Sequence, residues 1–238
     1  MKGAAAIARM LVVGGSSGIG QAVVEGARKR GCDVVVADIL PPGDGGQYLP
    51  LDVADPGSVA AAAASLPDRL DGLVNAAGIQ IAAPIESMAD ADVARQIAVN
   101  LTGMAYVAKY FSPNLKRGAS VVLLASELAF VGTPDSPVYA ATKGGITALA
   151  RSLAVSWRER GIRVNALCPG ATDTPLLRRV WNAMPDPAAV EAADTALIPL
   201  GRIATPHEIA AVALFLLSAD ASFITGHALV ADGGTIIW

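Results

Sequence analysis

Soft metal ligands are scarce: two cysteines, Cys32 and Cys168, and two histidines, His207 and His227, are the full complement of this 238-residue chain. No grouping of His, Cys, Asp and Glu has metal-ligand spacing, so no metal site is expected. A chain of this length buries a core without covalent staples, and both cysteines read as small buried hydrophobes in a reducing compartment. Charge is sparse as well, at 16% of residues, with 18 Lys and Arg against 21 Asp and Glu. The basic residues are scattered, which leaves no face for a phosphate backbone and excludes nucleic acid as an expected partner. Long apolar runs are missing too, although mean hydropathy is +0.48. The apolar content is largely alanine in helix-period segments, so no membrane partner is expected. The stretch Met1–Val13 has Lys2 and apolar residues, but Arg9 interrupts it and it runs into a glycine-rich turn. It reads as a first strand and not as an export signal, and the expected location is cytoplasmic. The sequon Asn100-Leu101-Thr102 is then accidental.

What is present is rhythm. Short β-branched runs alternate with alanine-rich segments of helical period: Arg9–Val13, Gly18–Arg30, Asp33–Asp38, Val59–Ser65, Gly72–Asn75, Ala91–Phe111, Ser120–Ala125, Tyr139–Arg160, Arg163–Leu167, His207–Leu217 and Ala228–Val230. Val121-Val122-Leu123-Leu124 is apolar without alternation, as a strand buried on both faces requires. The pattern predicts one α/β domain over residues 1–238, a Rossmann-type doubly wound parallel sheet with helices on both faces. Leu40–Pro50 and Pro175–Leu200 break the rhythm and read as loops, the second with a short helical stretch.

The first strand meets the first helix through Gly14-Gly15-Ser16-Ser17-Gly18-Ile19-Gly20. Glycines there let the backbone turn tightly against a pyrophosphate, whose charge faces the free N–H groups of a helix N-terminus. Asp38 ends the second strand about 20 residues on, where a dinucleotide-binding fold places a ribose-binding acid. A carboxylate accepts from both ribose hydroxyls and repels a 2′-phosphate, and Ile39, Ser16 and Ser17 supply no offsetting cation. The expected cofactor is NAD.

Tyr139-Ala140-Ala141-Thr142-Lys143 sets a phenol and an ammonium one helical turn apart on one face. A nearby cation favours the phenolate and can bring it below its free pKa of about 10, toward use as a base. The same spacing also occurs as an ordinary surface pair.

Taken together and in order, these residues resemble the short-chain dehydrogenase/reductase family across nearly the whole chain. Gly14, Gly18 and Gly20 match its TGxxxGxG turn, Asp52-Val53 its adenine-side acidic pair, and Asn75-Ala76-Ala77-Gly78 its NAAG segment. Asn100 matches its helix-interrupting asparagine. Ser126 stands thirteen residues before Tyr139, Lys143 completes YxxxK, and Asp232-Gly233-Gly234 matches a C-terminal signature. Pro169-Gly170 and Thr174, with Thr172 between them, match a PGxxxT segment. The resemblance implies a hydride exchange between NAD and a secondary alcohol or ketone. It implies a catalytic set of Asn100, Ser126, Tyr139 and Lys143. Tyr139 would carry the hydroxyl proton, Ser126 would donate to the substrate oxygen, and Lys143 would lower the phenol pKa and bind the nicotinamide ribose. Asn100 would hold a water that links Lys143 to solvent, and Thr174 with the backbone near Gly170 would fix the carboxamide. The cofactor would lie along Gly14, Ser16, Ser17, Gly18, Ile19, Gly20, Asp38, Asp52, Val53, Asn75, Ala76, Gly78, Tyr139, Lys143, Pro169, Gly170, Thr172 and Thr174.

The chain departs from the family pattern in three places. Val13 replaces the usual threonine of the glycine turn, Leu40–Pro50 is too short for the usual peripheral helix, and Glu127 is unusual beside Ser126. Glu127 could face substrate or solvent. The family's substrate lid corresponds to about 175–200, where Leu176, Val180 and Met184 form an apolar stripe with Leu177 and Trp181 beside it, while Arg178 and Arg179 point elsewhere. The stripe suggests an apolar or cyclic substrate, although Gln80, Glu127 and Ser136 could add polar contacts. Surplus apolar positions on Ala91–Phe111 and Tyr139–Arg160, with the tail Ile236-Ile237-Trp238, suggest a homotetramer. Competing readings are a non-catalytic NAD-binding sensor or scaffold, an epimerase or dehydratase, and a polyol or sugar dehydrogenase on the same fold.

Overall fold

The computed structural model describes residues 7–66 and 69–237. In chain order they form β1 (Arg9–Val13), α1 (Gly18–Lys29), β2 (Asp33–Asp38), β3 (Tyr48–Pro50), α2 (Pro56–Ser65) and β4 (Leu70–Asn75). There follow α3 (Asp90–Ile97), α4 (Gly103–Phe111), β5 (Leu115–Leu124), α5 (Pro137–Ser156) and β6 (Arg163–Pro169). The last elements are α6 (Pro175–Asn182), α7 (Pro187–Ala196), α8 (Pro206–Leu217) and β7 (Ala228–Ala231). The strands make a single parallel sheet in the order β3-β2-β1-β4-β5-β6-β7.

Alternation along each strand divides the core between the two faces of the sheet. Leu11, Val13 and Val35 point toward the side covered by α2, α4 and α5, with Phe111 and Ile146 fully buried there. Met10, Val12, Val34 and Val36 point the other way, onto α1 and α8. Both faces being covered explains why the strands lack polar alternation. Among the described residues no helix is long and apolar enough to cross a membrane.

The prolines that read as breaks in the sequence mark helix starts. Pro56, Pro137, Pro175, Pro187 and Pro206 each open a helix, where the missing N–H costs nothing. The segment Pro175–Leu200 therefore holds two helices and not one short helical stretch within a loop. Thr174 caps α6 by accepting from the Leu177 N–H, and Asp186 caps α7 by accepting from the Ala189 N–H.

Two other expectations change. Leu40–Pro50 is not entirely loop, because Tyr48–Pro50 pairs with β2 as an edge strand, a place where proline is tolerated. The Tyr48 hydroxyl donates to the Asp38 carbonyl at 3.1 Å and ties this strand to the end of β2. Between Ile39 and Gln47 the chain has no helix, as its shortness implied. The segment read as one helix over Ala91–Phe111 is split by a π turn at Ala98–Thr102, which carries Asn100.

The chain leaves β1 toward one edge of the sheet and leaves β4 toward the other, so a crevice opens beyond their adjacent carboxyl ends. The glycine turn, Asp38, Ser126, Tyr139, Lys143 and the Pro169–Thr174 segment arrive at that crevice.

Candidate active site

The crevice has a volume of about 1060 Å³. At its floor Gly14 adopts φ +74° and lies so close to the chain after β4 that a Cβ there would stand 2.6 Å from the Ala77 nitrogen. A Cβ on Gly20 would overlap the Gly14 carbonyl. These two positions make the turn tight and bring bare backbone to the crevice wall. Ser17 sits at the N-cap of α1 without capping it through its side chain, which leaves the first N–H groups of the helix for an anion. The cradle therefore fits a dinucleotide pyrophosphate.

Asp38 lines the far end of the crevice. Its Oδ2 accepts from the Ser16 N–H at 3.0 Å, a contact that holds the carboxylate against the glycine turn. Val13, in the position where the family has threonine, is fully buried, and the Ser16 hydroxyl donates to the Leu40 carbonyl at 2.6 Å. That bond joins the turn to the chain after β2. Asp52 and Val53 border the same end, and Ala76, Gly78, Pro169, Gly170, Thr172 and Thr174 border the middle.

Two of the sequence-derived residues stand behind the wall and do not line it. Asn75 is fully buried at the end of β4, its Oδ1 accepting from the Ala77 N–H at 3.2 Å and its Nδ2 without a hydrogen-bond partner. Asn100 is also fully buried. Its Oδ1 accepts from the Ile79 N–H at 2.8 Å, and its Nδ2 donates to the Ile79 carbonyl at 2.8 Å and to the Thr142 hydroxyl at 3.3 Å. The amide thus straps the segment after β4 to α5.

Ser126 follows β5, and Tyr139 and Lys143 come from the first turns of α5. The Ser126 hydroxyl bonds to the Tyr139 phenol and accepts from the Leu128 N–H at 3.2 Å. The Lys143 ammonium donates to the Leu124 carbonyl at 3.0 Å and stands 5.2 Å from the Tyr139 ring centroid. Burial dominates the electrostatics of both groups. It brings Lys143 down to about 8, against a small opposing pull from Cys168. It raises the Tyr139 phenol, with the Ser126 bond acting the other way and Glu127 adding to the rise. Desolvation is the largest influence on the phenol, and the Lys143 ammonium is engaged with the Leu124 carbonyl, so the lowering of the phenol by Lys143 stays a proposal.

Helix α6 meets the crevice with its apolar side. Leu176, Leu177, Val180, Trp181 and Met184 all line the crevice, with Trp181 buried. The arginines divide. Arg178 bonds to Asp173 and Glu191, each at 2.7 Å, and lies over the Trp181 ring, whereas Arg179 borders the crevice, contrary to the expectation for both. Trp181 donates its indole N–H to Asp194 at 2.7 Å, so α6 and α7 form one linked unit. Gln80 and Ser136, considered as substrate contacts, bond to each other at 3.0 Å. The sequence reading missed Asp194 and Thr235, which join Glu127 in lining the crevice. Neither lies in a motif, and only the folding of α7 and the C-terminal loop brings them there.

Residues 13–235 match a family model described as Enoyl-(Acyl carrier protein) reductase. An uncharacterised short-chain type dehydrogenase/reductase of Sinorhizobium fredii is 39% identical over 94% of the chain, which spans 43% of that longer protein. A cis-4-hydroxycyclohexanecarboxylate dehydrogenase of Sinomonas cyclohexanicum is 38% identical over 94% of both proteins. The solved aldohexose dehydrogenase of Thermoplasma acidophilum superposes with a TM-score of 0.92 at 33% identity, covering 98% of this chain and 95% of that one. The chain belongs to the short-chain dehydrogenase/reductase family, and it is a nicotinamide-dependent oxidoreductase acting on alcohol groups.

If Tyr139 carries the reacting proton, Tyr139→Phe lowers kcat by about 10²–10⁴-fold, the usual contribution of a general acid or base, and leaves dinucleotide affinity within about twofold. Steady-state turnover and fluorescence titration of the cofactor check this. Retention of more than about a tenth of kcat removes the phenol from the role.

Proposed function

We propose that this protein is an NAD-dependent dehydrogenase/reductase of a secondary alcohol and its ketone, on a small substrate that is largely apolar or cyclic. The observation that carries this reading is that Ser126, Tyr139 and Lys143 converge at one end of a crevice whose other end holds the glycine turn and Asp38. A bound nicotinamide supplies the hydride acceptor or donor. Ser126 would donate to the substrate oxygen, and Tyr139 would take up or return the hydroxyl proton. Lys143 would hold the nicotinamide ribose. Asn100 would act by strapping Ile79 and Thr142 in place beside it, and the water it was expected to hold stays part of the proposal. Thr172, Thr174 and Gly170 would bind the carboxamide side.

The acid at the adenosine end supports NAD over NADP. Asp38 is followed by exposed Ile39 and Leu40, so a 2′-phosphate would meet a carboxylate and two apolar side chains. The apolar lid side chains support a substrate with little to hydrate, because the several hydroxyls of a polyol would lose water over that surface and few of them would gain partners. The segment 175–200 would fold over such a substrate. The two cysteines are unpaired, which supports a reducing, cytoplasmic setting. The intact Ser126, Tyr139 and Lys143 set argues against a purely cofactor-binding protein, which has no need of proton-carrying groups.

The apolar residues on the outer sides of α4 and α5 support assembly. Tyr106, Tyr110, Leu149 and Leu153 are only partly buried, and Val155 is 62% exposed. In the tail Ile237 is exposed, while Trp238 lies outside the described residues. We read these surfaces as the contacts of a homotetramer. Light scattering at micromolar concentration is expected to give four times the chain mass, and a monomer mass would end that reading.

Wild-type protein is expected to reduce NAD in preference to NADP with a cyclic secondary alcohol, and to use glucose or a sugar alcohol at least about tenfold less well by kcat/KM. A clear preference for the polyol would overturn the apolar-pocket reading. Replacing Asp38 with Ala and Ile39 with Arg is expected to swing kcat/KM toward NADP by about tenfold or more, from removing a repulsion and adding a phosphate partner. A wild type that already prefers NADP would overturn the assignment of Asp38.

A further inference from the structure

The carboxyl group of Glu127 has no role in the chemistry described above, yet it is placed inside the crevice, one residue beyond Ser126. Its Oε2 is buried and has no hydrogen-bond partner. A Cβ built on Gly170 would come within 2.7 Å of the Asp232 Cα, 2.8 Å of its Cβ and 2.9 Å of that oxygen, so the carboxyl packs against the bare backbone of Gly170 beside Asp232. Several polar groups of the crevice have partners in the protein. Asp232 accepts from the Gly234 and Ile236 N–H groups, each at 2.9 Å, and Asp194 accepts from Trp181. The Thr235 hydroxyl, which also stands beside the Glu127 carboxyl, donates to the Asp232 carbonyl at 2.8 Å. Gln80 and Ser136 are paired with each other. Among the described residues Glu127 is therefore the crevice-lining acid that has a buried oxygen without a partner, and no three His, Cys, Asp or Glu groups converge to hold a metal ion there.

We propose that Glu127 is a specificity residue that accepts a hydrogen bond from a second hydroxyl of the substrate, so that the enzyme selects a small cyclic diol over the corresponding monoalcohol. The proposal rests on the dehydrogenase reading and adds the substrate class to it. Ser126 and Tyr139 would set the position of the reacting oxygen, and Glu127, next in sequence to Ser126 and near enough to Tyr139 to act on its phenol, sets an acceptor in the same crevice. The two hydroxyls of one small ring can meet both while its carbons face Leu177, Val180 and Trp181. A carboxylate-bearing ring of similar size would bring like charge against Glu127 and is disfavoured.

Electrostatics gives the test an independent readout. Burial, then Asp232, pushes the Glu127 carboxyl up, Thr235 opposes, and Asp194 adds to the rise, leaving it at about 7. Tyr139 is the other titratable group that feels Glu127. The ionised carboxylate is the stronger acceptor, so selection of the diol should strengthen as pH rises through about 7. Tyr139 and Lys143 serve both substrates alike, and a ratio of two substrates cancels their titration.

The experiment compares kcat/KM for cis-cyclohexane-1,2-diol, cyclohexanol and cis-4-hydroxycyclohexanecarboxylate between pH 6 and 8.5, in wild type and in Glu127→Leu. The expected wild-type ratio of diol to cyclohexanol is about tenfold or more, the discrimination worth one hydrogen bond to a charged group, and it rises with pH. The carboxylate is expected to be the poorest of the three. In Glu127→Leu the ratio should fall toward one and lose its pH dependence, with cofactor affinity serving as the check on folding. Should that variant not fold, the wild-type pH profile of the ratio decides alone. Turnover of cyclohexanol with no preference for the diol, or a ratio flat across pH 7, overturns the role of Glu127. A wild type that oxidises none of the three with either dinucleotide overturns the underlying dehydrogenase reading instead.

Discussion

The contact between the turn after β1 and the chain leaving β4 is the constraint on which the rest of the site depends. Gly14 can approach the Ala77 nitrogen because it has no side chain and accepts φ +74°. That approach closes the floor of the crevice at the point where the two halves of the sheet diverge. It also fixes the direction in which α1 presents its first N–H groups, and it sets Asp38, held by the Ser16 N–H, on the same wall. Asn100 then secures the other side of the floor, because its amide binds both backbone groups of Ile79 and reaches Thr142 on α5. Cofactor end and chemical end are connected through this short stretch of backbone.

At the chemical end the governing effect is removal of water. Tyr139, Lys143 and Glu127 are three ionisable groups drawn into a largely apolar volume, and desolvation is the largest influence on each. Each is displaced toward its neutral form, which for the phenol and the carboxyl is upward and for the ammonium downward. Lys143 and the Ser126–Tyr139 pair keep hydrogen bonds that offset part of that cost. Glu127 retains one oxygen without such a bond, an arrangement that makes sense where a ligand completes it. Displaced ionisations of this kind gather where a protein does chemistry, and here they gather beside the linked helices α6 and α7.

Much of the architecture was legible before any coordinates. A strand buried on both faces needs an unbroken apolar run, a helix over a sheet needs one apolar stripe, and their alternation leaves few alternatives to a doubly wound sheet. Boundaries were harder. Pro175 and Pro187 look like breaks in a linear reading, and only their position at the first turn of α6 and α7 turns them into helix starts. Tyr48–Pro50 is too short to announce itself, since its strand character comes from pairing with β2 and not from local preference.

What the sequence determined by itself was therefore the order and kind of elements, the glycine turn, Asp38, and the Ser126, Tyr139 and Lys143 set, because each depends on residue type and spacing along the chain. The tertiary structure decided what depends on proximity between distant segments. It turned Arg178 and Arg179 to different sides, paired Gln80 with Ser136, and engaged Asp194 with Trp181. It also set the ionisation of the buried groups. A tyrosine and a lysine four residues apart share a helix face in any context, but the depth of burial and the number of competing partners decide which proton each keeps. Those quantities belong to the packing of β5, α5, α6, α7 and the C-terminal loop around one volume, and no local pattern encodes them.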